Sequence, residues 1–302
     1  MDPEAPPRCG FVALLGAPNV GKSTLLNRLV GAKVSIVTHK VQTTRSRIRG
    51  IAIEGASQIV FVDTPGIFTP KRRLERAMVA AAWSGAQGAD ELVLIYDAAR
   101  RQIDRDTGLI VEGLKERRRA AVLTLNKIDL VKPQRLLELA GSFEAEGIFR
   151  RIFMISALSG DGVDDLRRDL ANRMPEGPWL YPEDQLSDLP QRLLAAEVTR
   201  EKLFLRLHQE LPYSLTVETE DWQDFDDGSV RIEQTITLAR AAHKGICLGK
   251  GGRTIRAVRE AAQRELENLL GREVHLFLFV KVRADWVDDP ARYRPWGLEF
   301  DA

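Results

Sequence analysis

Cysteine is scarce in this sequence: Cys9 and Cys247 are the two among 302 residues, and neither stands in a CxxC or Cys/His spacing. That scarcity excludes a disulfide framework and a zinc site built on cysteines. No stretch approaches the roughly 18 consecutive apolar residues of a membrane span. The opening Met1–Pro7 also lacks the cationic and apolar regions of a signal peptide. We therefore expect a cytoplasmic protein with reduced cysteines.

Charge is nearly balanced, with a net of +1, but it is unevenly distributed. Residues 212–233 carry seven acidic side chains and one arginine, whereas residues 240–283 carry ten lysines or arginines and four glutamates. A basic block is the electrostatic footprint of nucleic-acid binding, but solvated helix and strand faces produce the same count. The count alone therefore does not identify a nucleic-acid partner.

Two domains are expected, because 302 residues exceed what one hydrophobic core usually serves. Within residues 8–174, helical stretches alternate with short apolar runs at 11–15, 59–62, 92–96, 122–125 and 152–155. This alternation predicts an α/β domain with a mostly parallel sheet and helices on both faces. Residues 175–190 contain four prolines and are predicted to be a linker. Residues 191–302 are predicted to form a smaller α+β domain in the order helix, strand, strand, loop, helix, strand.

The segment Gly16–Ser23 reads GAPNVGKS, directly after the first apolar run and before a helical stretch. It matches GxxxxGK[ST], the P-loop, whose backbone N–H groups cradle phosphates at a helix N-terminus. Lys22 is expected to reach the β- and γ-phosphates, and the Ser23 hydroxyl can ligate Mg²⁺. The residues predicted to bind nucleotide here are Gly16, Asn19, Val20, Gly21, Lys22, Ser23 and Thr24.

A second motif, Asp63-Thr64-Pro65-Gly66, follows the run 59–62. Its Asp63 carboxylate stands at a strand end, where it can hold the Mg²⁺ shell. Gly66 can donate its backbone N–H to the γ-phosphate. Alone the tetrapeptide is an ordinary turn, but its place after a P-loop favours the nucleotide site.

A third motif, Asn126-Lys127-Ile128-Asp129, follows the strand predicted at 121–125. Asp129 can accept hydrogen bonds from the N1–H and 2-amino groups of guanine, donors that adenine lacks, so the site is expected to discriminate against ATP. Ser156 and Ala157 follow the run 152–155, where a loop would supply a backbone N–H to the guanine oxygen. As a pattern that last pair is also an ordinary exit from a strand.

The segment Gly249–Gly252, which reads GKGG, is a GxxG loop that opens a helical stretch. An isolated GxxG is more often an ordinary turn, but here basic residues surround it and strands frame it. This arrangement resembles a KH domain, in which the loop clamps the backbone of unpaired nucleotides. The residues predicted to bind single-stranded RNA are Lys244, Gly249, Lys250, Gly251, Gly252, Arg253 and Arg256.

The P-loop, DTPG, NKID and Ser156-Ala157-Leu158 (SAL) segments, in this order, resemble the four motifs of the translation-factor-like GTPases. The whole chain resembles the Era family of ribosome-assembly GTPases. The segment 42–45 resembles the family's switch segment, 179–203 its interdomain segment and 285–297 its C-terminal end. The likeness runs from about Gly10 to Phe300. It implies a P-loop GTPase domain followed by a type II KH domain. It also implies that the partner is the 3′ end of small-subunit ribosomal RNA in the 30S subunit.

The resemblance also implies a mechanism. Ile67 stands where Ras-type GTPases carry the glutamine that orients water, so slow hydrolysis is expected. The catalytic residues are then Lys22, Thr44 and Gly66, and Mg²⁺ is held by Ser23, Thr44 and Asp63. The spacing leaves Thr43 open as the ligand instead; the resemblance favours Thr44. Asn19 resembles the asparagine that holds K⁺ in related GTPases, although it can equally stabilise the loop.

We therefore expect a GTP-binding and GTP-hydrolysing switch that binds ribosomal RNA and acts in small ribosomal subunit maturation. The alternative is a constitutive RNA-binding or chaperone module whose GTP site turns over negligibly. A tRNA-modifying GTPase is disfavoured, because no C-terminal cysteine motif or added catalytic domain follows Val282. The resemblance further implies weak peripheral association with the inner face of the cell membrane, although no lipid-seeking amphipathic helix is evident.

Overall fold

The computed structural model describes residues 6–38, 40, 48–207 and 211–301. The chain divides into two compact units. The first comprises Met1–Ser35, Thr44–Asp188 and Arg294–Ala302, and the second comprises Ile36–Thr43 and Leu189–Tyr293. Within the described ranges, no helix is both long and apolar enough to cross a membrane.

Among its described residues, the first unit contains a six-stranded sheet and five α-helices. Its elements are β1 (Arg8–Leu15), α1 (Lys22–Val30), β2 (Ile48–Glu54), β3 (Ser57–Asp63), α2 (Arg73–Gln87), β4 (Glu91–Asp97), α3 (Arg105–Glu116), β5 (Ala121–Asn126), α4 (Pro133–Glu144), β6 (Phe149–Ile155) and α5 (Val163–Arg173). The strand order is β2-β3-β1-β4-β5-β6. The β2–β3 pair is antiparallel, and the β3–β1, β1–β4, β4–β5 and β5–β6 pairs are parallel. The predicted mostly parallel α/β fold is confirmed.

The central strands are apolar along their whole length because both faces of the sheet are covered. All seven residues of β4 are buried, and the side chains of α2, α3 and α4 pack with β4 and β5 in one core. The edge strand β2 was not among the predicted runs. Its sequence, IRGIAIE, places arginine and glycine between apolar residues. Gly50 is needed there, because a Cβ atom would lie 2.6 Å from Val30 and 2.7 Å from Leu26 of α1.

The proline-rich segment after α5 is not the free linker that the sequence indicated. Residues up to Asp188 belong to the first unit, and isolated bridges join the segment to β1 and β2. The reason is Gln58, a fully buried side chain in β3. Its Oε1 accepts hydrogen bonds from the backbone N–H groups of Leu180 and Tyr181 at 2.9 and 3.0 Å. Its Nε2 donates a hydrogen bond to the Tyr181 carbonyl at 2.8 Å. A buried amide requires such partners, so the segment is held along the sheet.

In the part of the second unit that the structure describes there are three strands and three α-helices: α6 (Gln191–Arg206), β7 (Leu215–Asp224), β8 (Val230–Leu238), α7 (Ala242–Leu248), α8 (Arg253–Leu270) and β9 (Val274–Val282). The sheet order is β7-β8-β9, with β7–β8 antiparallel and β8–β9 parallel. The predicted α+β domain is confirmed, with one correction. The stretch before the GxxG loop, predicted as a loop, forms the short helix α7, where Cys247 is fully buried in the core.

The predicted domain boundaries and the observed units also differ at the C-terminus. The sequence assigned residues 191–302 to one domain, whereas Arg294–Ala302 group with the first unit. Aromatic residues near this end pack into the protein: Trp286, Tyr293 and Trp296 are 2%, 1% and 6% exposed. The indole of Trp286 donates to the carbonyl of Ser214 at 3.3 Å. These three rings are therefore packing residues.

Candidate functional site

The four GTPase motifs lie at one edge of the first unit's sheet. The P-loop joins the end of β1 to α1, and the DTPG, NKID and SAL segments follow the ends of β3, β5 and β6. Since these four strands run parallel, their carboxyl ends meet at the same edge, where doubly wound sheets bind ligands. The motifs that the sequence placed at strand ends are therefore brought together.

The NKID motif is tied directly to the P-loop. Asn126 Nδ2 donates to the Val20 carbonyl at 2.8 Å, and Lys127 Nζ donates to the Asn19 carbonyl at 2.9 Å. Gly21 has a φ of 101°, and a Cβ atom there would lie 2.3 Å from Asn126 Nδ2. Glycine is needed at this position both for its backbone conformation and for the approach of Asn126. The P-loop and the NKID motif are therefore joined directly by hydrogen bonds.

Lys22 is the buried cation of this site. Its side chain is 7% exposed, and its Nζ donates to the carbonyls of Gly16 and Ala17 at 3.0 Å each. Burial lowers the pKa of Lys22 to about 8, against the opposing effect of the Asp63 carboxylate. An ammonium held by carbonyl dipoles at a helix N-terminus is suited to neutralise an anion.

Asp63 is the hub of an oxygen cluster. Its carboxylate is fully buried, and Oδ2 accepts hydrogen bonds from Ser23 Oγ at 2.7 Å and Ser35 Oγ at 3.0 Å. A carboxylate and hydroxyls are hard oxygen ligands of the kind Mg²⁺ prefers, so the donor set fits this ion. Ser35 was not among the predicted site residues. Asn27 holds Ser35 in place, because Asn27 Oδ1 accepts a hydrogen bond from the Ser35 backbone N–H at 2.9 Å.

The rest of the DTPG motif packs on the P-loop. Thr64 Oγ1 donates to the Leu14 carbonyl at 2.7 Å, and the Ile67 amide donates to the Gly16 carbonyl at 3.2 Å. A Cβ atom at Gly66 would lie 3.1 Å from Pro18 Cγ. A larger residue than glycine at position 66 would therefore require the P-loop to shift slightly at Pro18. Thr43 and Thr44, the two candidates for the third Mg²⁺ ligand, lie outside the described residues.

The residues predicted to recognise the base follow β5 and β6, at the same edge of the sheet. Asp129 is exposed on a short 3₁₀-helix, Ile128–Leu130, directly after Lys127. Ser156 and Ala157 are buried, and their amides donate within the protein, to the Asp161 carbonyl and to Asn126 Oδ1, at 2.9 Å each. Their role toward the guanine oxygen therefore stays a prediction.

The GxxG loop of the second unit stands between α7 and α8. Gly249 has a φ of 72°, and a Cβ atom there would lie 2.2 Å from Thr254 Oγ1. Gly251 and Gly252 also have positive φ values. Glycine adopts this conformation readily, so the backbone can turn here directly before the N-terminus of α8. The predicted basic residues around the loop lie at the surface: Lys244, Lys250, Arg253 and Arg256. Ile246, 59% exposed, adds an apolar contact surface beside them.

Comparisons with known proteins decide the family. Residues 11–127 match the family model of a 50S ribosome-binding GTPase, and residues 210–287 match that of a KH domain. GTPase Era of Rhizobium meliloti (strain 1021) is 61% identical over 295 residues, covering 98% of this chain and 94% of the relative. GTPase Era of Afipia carboxidovorans is likewise 61% identical over 295 residues, covering 98% and 96%. The chain belongs to the Era family of GTPases.

Solved structures of Era GTPases share the fold over nearly the whole chain. One is Era in complex with MgGDPNP and nucleotides 1506–1542 of 16S ribosomal RNA, with a TM-score of 0.91, 37% identity and coverage of 96% of this chain and 99% of that one. Another is a variant of Aquifex aeolicus Era bound to GDP·AlF₄⁻, with a TM-score of 0.90 and the same identity and coverage. The predicted combination of a P-loop GTPase domain and a KH domain is confirmed.

Motif reasoning missed three residues that contact the motif loops: Ser35, Asp97 and Arg100. Ser35 lies 12 residues beyond Ser23 in an irregular segment, and no short pattern marks it. Asp97 and Arg100 lie at and just after the end of β4, a strand whose end carries none of the recognised GTPase motifs. Ligand sites in such sheets form at the carboxyl ends of the parallel strands, so the residues after β4 could have been considered as site residues from their position alone.

Proposed function

We propose that this chain hydrolyses GTP at the edge of its parallel sheet, and that its nucleotide state controls binding of small-subunit ribosomal RNA by its KH domain during subunit maturation. The observation that carries the proposal is the convergence of the four motif loops. One loop offers phosphate contacts, and another carries the Asp129 carboxylate for guanine. The residues proposed to contact the nucleotide or Mg²⁺ are those predicted from the sequence, with the addition of Ser35 beside Asp63.

The phosphates are assigned to the P-loop amides and Lys22. The buried ammonium balances phosphate charge, and Gly66 contributes its amide where the γ-phosphate would lie. Ser23 and Asp63 would hold Mg²⁺ together with Thr44. That ion would draw charge from the phosphate oxygens. Because Ile67 lacks a polar group to orient water, these residues stabilise charge but do not activate the nucleophile, which supports a slow intrinsic rate.

A monovalent cation is the expected activator. Asn19 is exposed at the P-loop with a φ of 64°, a conformation that asparagine tolerates better than most residues. Its place supports the role of K⁺ ligand that the family resemblance implied. GTP turnover should therefore be faster in K⁺ than in Na⁺, with Asn19→Ala removing the difference. Equal rates of the native protein in the two salts would contradict this part of the proposal.

RNA binding is assigned to the basic rim of the GxxG loop. Lysine and arginine neutralise phosphates, and the glycines allow the sugar-phosphate backbone to approach the start of α8. The relative solved with RNA carries nucleotides 1506–1542 of 16S ribosomal RNA, which supports a target in small-subunit ribosomal RNA for this chain. We infer a cytoplasmic site of action. Peripheral membrane association stays a prediction from family resemblance alone.

The test measures GTP turnover and RNA affinity in the full chain. GTP should turn over measurably, and an oligonucleotide matching the 3′ end of small-subunit ribosomal RNA should bind more tightly in the GTP state than in the GDP state. The double variant Lys250→Asp, Gly251→Asp should lose RNA affinity about tenfold or more, since phosphate contacts dominate such binding. Arg118→Asp, an exposed charge reversal in the first unit, is the control.

Two outcomes would overturn the assignment. RNA affinity unchanged in the Lys250/Gly251 double variant would remove the GxxG loop as the RNA site. Negligible turnover together with equal RNA affinity in the two nucleotide states would favour the alternative, a constitutive RNA-binding or chaperone module.

A further inference from the structure

Three consecutive carbonyl oxygens of the P-loop accept hydrogen bonds from side chains outside this loop. Arg100 Nη2 donates to the Pro18 carbonyl at 2.8 Å. Lys127 and Asn126 donate to the next two carbonyls, those of Asn19 and Val20. Because the N–H and C=O groups of a peptide plane point in opposite directions, fixing the carbonyls on one side turns the amides to the other. The amides are the groups that cradle phosphates.

Two of these three donors are cations, and each is itself held by a carboxylate. Asp97 Oδ2 lies 2.6 Å from Lys127 Nζ, and Asp104 forms an ion pair with Arg100. The Asp97 side chain is also anchored to its own loop, since Oδ1 accepts the Ala99 amide at 3.0 Å. Asp104 caps α3 by accepting the Thr107 amide at 3.1 Å. Each carboxylate therefore helps to hold its cation in the position from which that cation donates to the P-loop carbonyl.

The result is a brace with two parallel arms, Asp97–Lys127–Asn19 and Asp104–Arg100–Pro18. Lys127 belongs to a known GTPase motif, but Asp97, Arg100 and Asp104 lie outside the four motifs. The guanidinium of Arg100 also acts on the site through its charge, because it contributes to the lowered pKa of Lys22. Arg100 thus raises the positive potential beside the phosphate loop while holding one of its carbonyls.

We propose that Asp97 and Arg100 are positioning residues of the nucleotide site, which set the orientation of the P-loop amides through the carbonyls of Asn19 and Pro18. The inference rests on the proposed function, since it concerns the same guanine-nucleotide site. Both residues act on the nucleotide through the loop. Each keeps the loop in its phosphate-binding conformation, so its loss lets the loop relax and speeds nucleotide release.

The test compares GDP release from Asp97→Asn and Arg100→Met with release from the native full-length protein, using a fluorescent GDP analogue chased by excess GDP. Each variant should release GDP about tenfold faster, the size expected for losing one charge-assisted hydrogen bond. Arg101→Met is the matched control. Arg101 is an exposed neighbouring arginine, and its replacement should leave the release rate within about twofold of the native rate, as a surface substitution normally does.

Two further measurements separate positioning from general stability. Arg100→Lys keeps a cation able to reach a carbonyl, so it should recover most of the lost residence time. The melting temperatures of the nucleotide-free variants should stay close to that of the native protein. Amide resonances of residues 19–22 in the GDP complex should shift in Arg100→Met and not in Arg101→Met.

Release from Asp97→Asn and Arg100→Met at the native rate would overturn the brace while leaving the proposed function intact. The brace would also be contradicted if faster release were matched by a large fall in melting temperature and were not rescued by Arg100→Lys. A native protein that bound no GDP would instead remove the proposed function itself.

Discussion

Replacement of Gly21 by alanine tests the geometry that joins the phosphate loop to the base loop. Gly21 has a φ of 101°, and the added Cβ would meet Asn126 Nδ2 at 2.3 Å. Asn126 would have to move away, giving up its bond to the Val20 carbonyl and the bond that it accepts from the Ala157 amide. Both are buried hydrogen bonds, so their loss leaves polar groups without partners inside the protein.

The magnitude follows from two terms. The left-handed conformation costs alanine about 1–2 kcal/mol relative to glycine, and each broken buried hydrogen bond costs about 1–3 kcal/mol. The free energy of unfolding should therefore fall by about 3–8 kcal/mol in Gly21→Ala, since two buried hydrogen bonds are lost. Gly31 provides a matched control at the other end of α1, because its φ is 79° and a Cβ atom there would meet nothing within 4 Å. Gly31→Ala should cost about 1–2 kcal/mol, the backbone term alone.

Urea unfolding of the full chain, followed by circular dichroism, measures the difference between the two variants. Titration with a fluorescent GDP analogue should show in parallel that Gly21→Ala binds nucleotide far more weakly than Gly31→Ala. Equal losses of stability in the two variants would refute the reasoning, because the backbone term would then account for everything and Asn126 would have no structural role.

Three further outcomes are expected. Asp129→Asn should lower GTP affinity and raise that for xanthosine triphosphate, measured by competition binding; unchanged preference would remove Asp129 as the base reader. GDP affinity should fall above pH 8, because burial lowers the pKa of Lys22 to about 8 and a neutral Lys22 must take up a proton when GDP binds. Calorimetry in two buffers of different ionisation enthalpy measures this proton uptake, which should be small at pH 7. Gly249→Ala should weaken RNA binding more than Gly251→Ala, because a Cβ would clash with Thr254 in the first case and meet nothing within 4 Å in the second; equal affinities in a filter-binding assay would contradict it.

The parts of the fold set by local chemistry could be predicted from the sequence. Glycine-rich loops need special backbone conformations, and parallel strands buried on both faces need continuous apolar runs, so the P-loop, the GxxG loop and the central strands were identifiable. The edge strand β2 was not, because its one-sided environment leaves arginine and glycine among its apolar residues. The proline-rich segment was misassigned because its anchor, the buried Gln58, lies more than 100 residues earlier in the chain.

The candidate site divides in the same way. Residues predicted to contact phosphates or guanine carry short motifs, since the ligand dictates their spacing. Ser35 and Asp97 contact such residues, Asp63 and Lys127, across separate segments of the chain, and no short pattern marks either of them. Their contribution emerged only from the distances in the folded chain.

The most direct test of the central claim is equilibrium binding of GTP and ATP to the purified full chain in the presence of Mg²⁺. A site read by the Asp129 carboxylate should bind GTP at least about a thousandfold more tightly than ATP, because adenine would leave that carboxylate without hydrogen-bond donors. Equal affinities for the two nucleotides, or no binding of either, would contradict the account.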